Sequence, residues 1–429
     1  MSNSIASLII FGVCIVLFVW DKLPMATSAI LGCAAMVLFG VCDFKTAFGQ
    51  FASSTVIMLI GVLVVGSAVA ETGMAAKIGQ VISKASKNNE RILIIESFLL
   101  AMALSTFLTN VTVLAIFIPI IFSLSKESKY INPMNLIIPI TLAVNVGGVT
   151  TLIGSSQQMT AQGLLIEYGY KGFAVFDFTL YGIVLGVVTL GYILLIGYPL
   201  GKKIWGNRPI SYDEVGEVKK VEVDKRKAIS ITIIFVVMVY LYITQKVPFV
   251  NLDCPPHLTS TLAALACIIT GCISQKKAIA GVNWNIVGRL AACLGLAKAL
   301  DSAGGIDVIA DVLMKLCGQN LSPYALFAVT ALLAQIVSLF ISNSTAISIA
   351  LLVIISISQT MNLNVPAYAM GIVLTASMGA SCPLSGSTWG ISMSAGYQFK
   401  DYFKYGVWID LLGYITVIIL VPLTMGLTV

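Results

Sequence analysis

The chain has 429 residues, of which 58% are hydrophobic and only 10% charged, and its mean hydropathy is +0.97. This composition excludes an ordinary soluble globular domain and predicts an all-α polytopic protein embedded in a lipid bilayer. The formal net charge of +6 does not indicate a nucleic-acid partner. The positions of the basic residues along the chain are more informative than their sum.

The N-terminal apolar run extends from Ile5 to Val19 and is followed by Lys22. No Lys or Arg precedes it, so it lacks the basic region of a cleaved signal peptide and is interpreted as a first spanning helix. The nine cysteines are scattered without metal-ligand spacing and are interpreted as small buried side chains. The single histidine, His257, is predicted to lie in a loop beside Pro255 and Pro256, and it leaves little for histidine-based metal or proton-relay chemistry.

Apolar stretches of spanning or half-spanning length recur in the same order in both halves of the chain. In the first half they lie at about 5–20, 25–41, 53–72, 92–108, 111–124, 133–150, 155–167 and 178–199. In the second half they lie at about 229–247, 258–274, 283–300, 322–341, 345–360, 365–381, 387–397 and 405–427. Each half therefore predicts full helices, two half-length runs that meet at an Asn, a broken run and a last full helix.

The sequence itself repeats together with this order of elements. Ser105-Thr106-Phe107-Leu108-Thr109-Asn110-Val111-Thr112 matches Ser338-Leu339-Phe340-Ile341-Ser342-Asn343-Ser344-Thr345 at an offset of 233. Such repeats are typical of secondary transporters. We predict a first repeat over residues 1–200, a cytoplasmic linker over 201–227 and a second repeat over 228–429.

The distribution of basic residues predicts how these repeats are oriented. If the linker is cytoplasmic and each pair of half-length runs is a re-entrant hairpin, each half crosses five times and the halves are inverted. Nineteen Lys and Arg residues then face the cytoplasm and four face outside, in agreement with the positive-inside rule. The sequence thus predicts ten crossings, a cytoplasmic-side and an outside-entering hairpin, and both termini outside.

Polar residues at the two hairpin tips have two interpretations. Short hydroxyls, an Asn amide and free carbonyls suit a sodium ion, and free N–H groups at half-helix N-termini suit an oxyanion. The same residue types also join membrane helices by hydrogen bonds. Both runs after the tips are interrupted, near Gly147-Gly148 and Gly379, which favours the site interpretation over close helix packing.

Charged residues inside the apolar runs are predicted to be structural. Arg289 and Asp410 are predicted to lie at comparable depths, so a pair between them, or an arginine that reaches towards water, is favoured over a contact with the substrate. Lys298 is expected to reach the outer interface. Glu71 and Glu96 fall near the cytoplasmic boundary, which leaves no acidic residue at the predicted midplane and disfavours a carboxylate-driven proton antiporter.

Two further stretches carry scattered charge at the predicted membrane edge. These stretches, Ala75 to Arg91 and Gly305 to Asn320, fit interfacial helices that link a scaffold to a moving hairpin domain. An ordinary surface helix is equally compatible with their composition.

The tip sequences resemble those of the divalent anion/sodium symporter family, within the superfamily of citrate, dicarboxylate and arsenite permeases. Members of that family carry Ser-Asn-Thr at each hairpin tip. The second tip here, Ser342-Asn343-Ser344 followed by Thr345, is similar, whereas the first tip, Thr109-Asn110-Val111, has Val in the third position. The break Gly154-Ser155-Ser156 lacks the prolines of the family.

This resemblance implies sodium-coupled transport of di- or tricarboxylates by an elevator movement, in a homodimer in the cell membrane. It implies sodium-site residues at Ser105, Asn110, Gly148, Ser338, Asn343 and Gly379, to which we add Thr109 and Ser342. For the anionic substrate we expect contacts from Asn110, Thr112, Ser155, Ser156, Asn343, Ser344, Thr345, Ser387 and Thr388.

Other functions fit the sequence less well or remain open. A sodium-independent exchanger, or a permease for an inorganic oxyanion such as sulfate or arsenite, would use the same fold. An ion channel is disfavoured by the inverted hairpins. An enzyme is not expected, because no His, Cys or carboxylate cluster falls at the predicted midplane.

Overall fold

A computed structural model describes most of the chain, and the statements below refer to the residues that it describes. These are residues 3–20, 23–72, 89–127, 131–205, 225–247, 252–305, 308, 322–340, 342–393 and 396–428. Within them the protein is all-helical, and its only β-type pairings are two isolated bridges, Lys246 with Asp253 and Leu363 with Thr428.

The first half contains ten helices. They are α1 (Asn3–Trp20), α2 (Met25–Leu38), α3 (Phe44–Phe48), α4 (Ser54–Glu71), α5 (Glu90–Ser105), α6 (Asn110–Glu127), α7 (Met134–Gly148), α8 (Ser156–Glu167), α9 (Thr179–Tyr192) and α10 (Tyr198–Trp205). A 3₁₀ turn, Gly49–Ala52, joins α3 to α4, and a π-helical turn, Ile193–Gly197, joins α9 to α10.

The second half has the same order of elements. They are α11 (Lys225–Thr244), α12 (Pro256–Ile269), α13 (Gln275–Gly281), α14 (Trp284–Ser302), α15 (Pro323–Ser338), α16 (Asn343–Met361), α17 (Val365–Met378), α18 (Ser387–Met393) and α19 (Phe399–Met425). The predicted apolar runs are therefore confirmed as helices within a few residues. The described helices also extend into both ends of the predicted linker 201–227.

Local sequence explains where several of these helices begin. Asn89, Asn283 and Ser322 each accept a hydrogen bond from a backbone N–H in the first turn of the helix that follows. Pro256 occupies the first turn of α12, where its missing N–H costs nothing. His257 thus lies in a helix rather than in the loop that the two prolines suggested.

Few of the described helices are long enough to cross a bilayer alone. Four helical segments are, namely Phe44–Val69, Thr179–Trp205, Arg226–Thr244 and Phe399–Met425, and α13 with α14 makes a fifth candidate that is bent by 57°. The apolar parts of eight further helices are shorter, at 10–17 residues, namely those of α1, α2, α6, α7, α12, α15, α16 and α17. This class includes arms of both predicted hairpins but also the predicted full spans α1, α2 and α12, so the count of ten crossings stays a prediction. Most of 75–91 and 305–320 lies outside the described residues.

The helices pack as two groups that come from both halves of the chain. Helices α1–α4 and α11–α14 pack on one another and form what we call the flanking bundle. Helices α5–α10 and α15–α19 form the hairpin bundle, in which α6 packs on α18 and α8 packs on α16. The helix that follows the tip in each half therefore lies against the second part of the broken helix of the other half.

The two bundles meet mainly where α8 and α16 lie against α14 and α4. Near the C-terminal end of α14, Lys298 Nζ forms an ion pair with Glu167 Oε1 of α8 at 2.6 Å, and the Tyr168 hydroxyl donates to the Ala297 carbonyl at 3.1 Å. Gln50 also donates to the Glu167 carboxylate. Lys298 was predicted to reach the outer interface, and this stays a prediction; in the structure its ammonium group pairs with Glu167.

The break after α17 is held by α19. Asp410 accepts hydrogen bonds from the backbone N–H groups of Ala380 and Ser381, at 2.7 and 2.9 Å. One turn earlier, a Cβ at Gly406 would lie 2.3 Å from the Ala380 carbonyl oxygen, so only glycine allows this approach. The buried carboxylate thus satisfies the N–H groups that the interrupted helix leaves unpaired.

The predicted pair between Arg289 and Asp410 is wrong. Asp410 uses both carboxylate oxygens on the broken backbone of α17, and Arg289 Nη2 donates instead to Ser156 Oγ at 3.3 Å. The two residues lie on helices of different bundles, Arg289 on α14 and Asp410 on α19.

Replacement of Asp410 should destabilise the hairpin bundle. Asp410→Ala leaves two buried N–H groups unpaired, and we expect a loss of roughly 2–5 kcal/mol in unfolding free energy. Asp410→Asn keeps one acceptor oxygen, so its unfolding free energy should lie between those of Asp410→Ala and the wild type. Thermal unfolding of the purified protein in detergent measures both, with exposed Asp253→Ala as the control. Equal melting temperatures for Asp410→Ala and Asp253→Ala would contradict the assignment.

Candidate functional site

The first hairpin tip is an amide and hydroxyl cluster between α5 and α6. Helix α5 ends at Ser105, whose buried Oγ donates to Asn110 Oδ1 at 2.8 Å. Asn110 is the first residue of α6, and its Nδ2 donates to Asn145 Oδ1 on α7 at 3.4 Å. The tip is thus tied to the helix that carries the first break.

Both tips share one capping arrangement. The hydroxyls of Thr109 and Thr112 lie 2.7 Å apart, and the Thr112 N–H donates to Thr109 Oγ1 at 3.4 Å. At the second tip, Ser342 and Thr345 repeat this pattern at 2.8 and 3.3 Å. Thr109 and Ser342 are therefore N-caps, which explains structurally why a hydroxyl residue precedes each Asn.

The two Asn side chains differ in their hydrogen bonds. Ser338 Oγ donates to the Gln335 carbonyl, at 2.7 Å, rather than to Asn343. Asn343 Oδ1 is buried and has no hydrogen-bond partner among the described residues. A buried amide oxygen without a donor is costly, so this atom is positioned to accept from a ligand or to coordinate a cation. Ser344, next to it, is buried.

The first break brings Gly148 against the first tip. A Cβ at Gly148 would lie 2.4 Å from Asn110 Oδ1, so a side chain there would displace the Asn. The Gly148 carbonyl accepts from Gln158 Nε2 at 2.8 Å, and Ser155 Oγ donates to Gln158 Oε1 at 2.6 Å. The buried Gln158 side chain therefore satisfies the backbone where α7 ends.

The second break is arranged similarly around Gly379. Ser385 Oγ donates to the Gly379 carbonyl at 2.5 Å, and a Cβ at Gly379 would lie 2.7 Å from the same hydroxyl. Thr388, in the first turn of α18, donates to Asn145 Oδ1 at 3.0 Å. The side chain of Ser387 lies outside the described residues.

Asn145 links the two halves and was not predicted as a site residue. Its Oδ1 accepts from Asn110 Nδ2 of the first tip and from Thr388 Oγ1 of the second break. An Asn one turn before Gly148, inside an otherwise apolar helix, was the available signal. The structure thus brings together Ser105, Asn110, Asn145, Gly148 and Thr388, while the functional roles of all predicted residues remain predictions.

The chemistry of this region is that of neutral oxygen and nitrogen donors. The helices α6, α8, α16 and α18 all begin at predicted site residues, and the first turn of each helix has N–H groups without intrahelical partners. In the described part of the chain, no group of three or more His, Cys, Asp or Glu residues could hold a metal ion. Eight of the nine cysteines are described, and each is free.

A family model described as a citrate transporter matches residues 15–256 and 249–428, and the chain belongs to this family. An uncharacterized transporter of Haemophilus influenzae is 24% identical over 382 residues, which cover 86% of this chain and 79% of that protein. The uncharacterized transporter YfbS of Escherichia coli is 27% identical over 191 residues, which span 44% of this chain but 31% of YfbS.

A more distant relative has a named substrate. The sodium-dependent low-affinity dicarboxylate transporter 1 of Caenorhabditis elegans is 24% identical over 156 residues, which cover 36% of this chain and 25% of that protein. The predicted family resemblance is confirmed by these matches. The chain therefore belongs to a family of the citrate and anion permease type, and it spans about a third of the length of YfbS.

Solved transporter structures share the fold. The YdaH transporter of Alcanivorax borkumensis superposes with a TM-score of 0.66 at 11% identity, over 98% of each chain. MtrF of Neisseria gonorrhoeae gives a TM-score of 0.59 at 13% identity, over 94% of this chain and 96% of that one. At such identities the likeness concerns the fold alone.

A methyl group at Gly148 should disrupt the first tip. Gly148→Ala places a Cβ against Asn110 Oδ1, and we expect citrate uptake into proteoliposomes to fall at least about tenfold, since the amide must shift or lose its hydrogen bonds. Gly191→Ala in α9 is the matched control, because no atom lies within 4 Å of its Cβ position. Equal uptake by the two variants would argue against a functional first tip.

Proposed function

We propose that this member of the citrate transporter family is a secondary active carrier of di- or tricarboxylates that is coupled to Na⁺ and works by an elevator-type movement. The observation that carries the proposal is the polar cluster of Asn110, Asn145 and Thr388, which joins the first tip and the first broken helix to the second broken helix. We infer that the halves are inverted repeats with the linker on the cytoplasmic side, in a homodimer in the cell membrane.

The helix N-termini support an anionic substrate. The helices α6, α8, α16 and α18 begin at predicted site residues, and the N-terminus of each has a partial positive charge and first-turn N–H groups without intrahelical partners. Carboxylates fit these donors because each oxygen accepts several hydrogen bonds. The citrate transporter description of the family and the dicarboxylate relative point to the same substrate class.

The second tip supports a cation alongside the anion. Asn343 Oδ1 is a buried oxygen without a donor among the described residues, and at the same tip the hydroxyls of Ser342 and Thr345 lie 2.8 Å apart. At the first tip, Ser105 Oγ and Asn110 Oδ1 lie 2.8 Å apart and could both turn to one ion. Half-helix ends with oxygen ligands of this kind suit Na⁺. Because cation and anion would order the same tips, each should raise the affinity for the other.

The packing of the helices into two bundles supports the proposed elevator-type movement. The hairpin bundle carries every predicted site residue, whereas the flanking bundle meets it mainly along α8 and α16. The hairpin bundle can then slide past the flanking bundle and expose the site on alternate sides.

Citrate uptake should require Na⁺ and an intact second tip. Replacement of external Na⁺ by choline is expected to reduce uptake into proteoliposomes by at least about tenfold. Asn343→Ala removes the unpaired oxygen, so the half-saturating Na⁺ concentration should rise by about tenfold, as expected for the loss of one ligand worth 1–2 kcal/mol. The control is Asn285→Ala, at an exposed position of α14.

Two outcomes would contradict parts of this proposal. Uptake that is unchanged without Na⁺ but requires an anion inside the proteoliposomes would identify an exchanger. Wild-type Na⁺ dependence in Asn343→Ala would remove the second tip from the cation site. A screen of thermal stability with citrate, succinate, sulfate and arsenite, each with and without Na⁺, would identify the preferred anion.

The elevator movement should require separation of Lys298 from Glu167. These residues join the flanking bundle to the hairpin bundle. In the double variant Lys298→Cys with Glu167→Cys, a short cleavable bifunctional maleimide should abolish uptake in proportion to the cross-linked fraction, and cleavage should restore it.

The matched control is an ion pair inside the flanking bundle. Glu71 on α4 and Lys277 on α13 form a contact that the proposed movement leaves intact. Cross-linking Glu71→Cys to Lys277→Cys should therefore not affect uptake. Full uptake with cross-linked residues 167 and 298 would refute a relative movement of the bundles.

A further inference from the structure

Arg289 faces the first break without a carboxylate partner in the described part of the chain. The described ion pairs are Lys202 with Glu90, Lys277 with Glu71 and Lys298 with Glu167. Arg289 is partly buried on α14, and its one described side-chain hydrogen bond is from Nη2 to Ser156 Oγ at 3.3 Å. An arginine inside an apolar helix is costly unless an anion or polar groups satisfy its five N–H donors.

The helix N-terminus beside the guanidinium also has a partial positive charge. Ser156 is the first residue of α8, and Ser155 before it makes no capping bond to the first turn, because its hydroxyl donates to Gln157 and Gln158. The free N–H groups of α8 and the guanidinium therefore approach the same place as donors. Two adjacent positive groups at the edge of a predicted anion site are stabilised by an anion between them.

We propose that Arg289 is a substrate-binding residue that pairs with one carboxylate of the transported anion beside the first turn of α8. This inference rests on the proposed function, because it needs an anionic substrate. The planar guanidinium binds carboxylates in a bidentate manner. Since the remaining site is neutral, Arg289 would favour substrates with an additional carboxylate over monocarboxylates.

The position of Arg289 makes this contact specific to one conformation. Arg289 belongs to the flanking bundle, and Ser156 belongs to the hairpin bundle, so the proposed movement separates them. In the order of elements, α4 of the first half corresponds to α14 of the second half, and its sixth residue, where α14 has Arg289, is Leu59. No equivalent cation lies on α4, so the carboxylate would lose its partner when the site faces the other side.

The test measures KM for citrate separately on the two sides of the membrane, in right-side-out and inside-out vesicles. Arg289→Gln should raise KM by at least about tenfold on one side and leave the other side nearly unchanged. Arg289→Lys, which keeps the charge, should raise it by less. Exposed Lys276→Gln on α13 is the control for the loss of a basic residue and should leave both values unchanged.

A second variant separates charge from folding within one protein sample. In Arg289→Cys, a cationic aminoethyl methanethiosulfonate should lower KM towards the wild-type value, whereas a neutral methyl reagent should not. A structural role would show no such dependence on the charge of the reagent. Equal KM with both reagents, or wild-type KM on both sides in Arg289→Gln, would overturn the inference while citrate transport stands. A wild-type protein that transports no carboxylate would instead overturn the proposed function.

Discussion

The structure depends on how the polar backbone is satisfied where helices are interrupted in an apolar environment. A bilayer supplies no water to an unpaired N–H or C=O group, so each break must be closed by protein or ligand. The chain closes the first break with the Gln158 amide on the Gly148 carbonyl, and the second with the Asp410 carboxylate on two N–H groups. These contacts hold the backbone at each break without using the side chain of Asn110 or Asn343.

The two halves solve this problem with different chemistry. Ser105 donates to Asn110, whereas Ser338 donates to a backbone carbonyl and leaves Asn343 Oδ1 without a described partner. Likewise, a neutral amide holds the first break and a carboxylate holds the second. The two tips thus share a capping arrangement but differ in their hydrogen bonds, and these differences would give them unequal affinity for a cation.

The sequence predicted the parts that depend on local pattern and missed those that depend on long-range packing. Apolar runs located the helices within a few residues, and the repeated Asn marked both tips, because these signals lie within one element. The pairing of Arg289 with Asp410 was inferred from depth alone, and depth does not show which faces of two helices meet. Asn145 was missed because its partner Thr388 is 243 residues away. No local motif encodes such a contact.

A neutral moving site gives a physical reason for coupling. The predicted site residues on the hairpin bundle are Asn, Ser, Thr and Gly, so a bound tricarboxylate would bring its full negative charge into a poorly polarisable interior. Cations bound at the two tips would offset that charge, which would lower the cost of the proposed movement of the loaded bundle past the flanking helices. The anion without cations would remain where Arg289 can pair with it. Arg289 on the flanking bundle and neutral site residues on the hairpin bundle would therefore make the movement depend on the binding of the anion and the cations together.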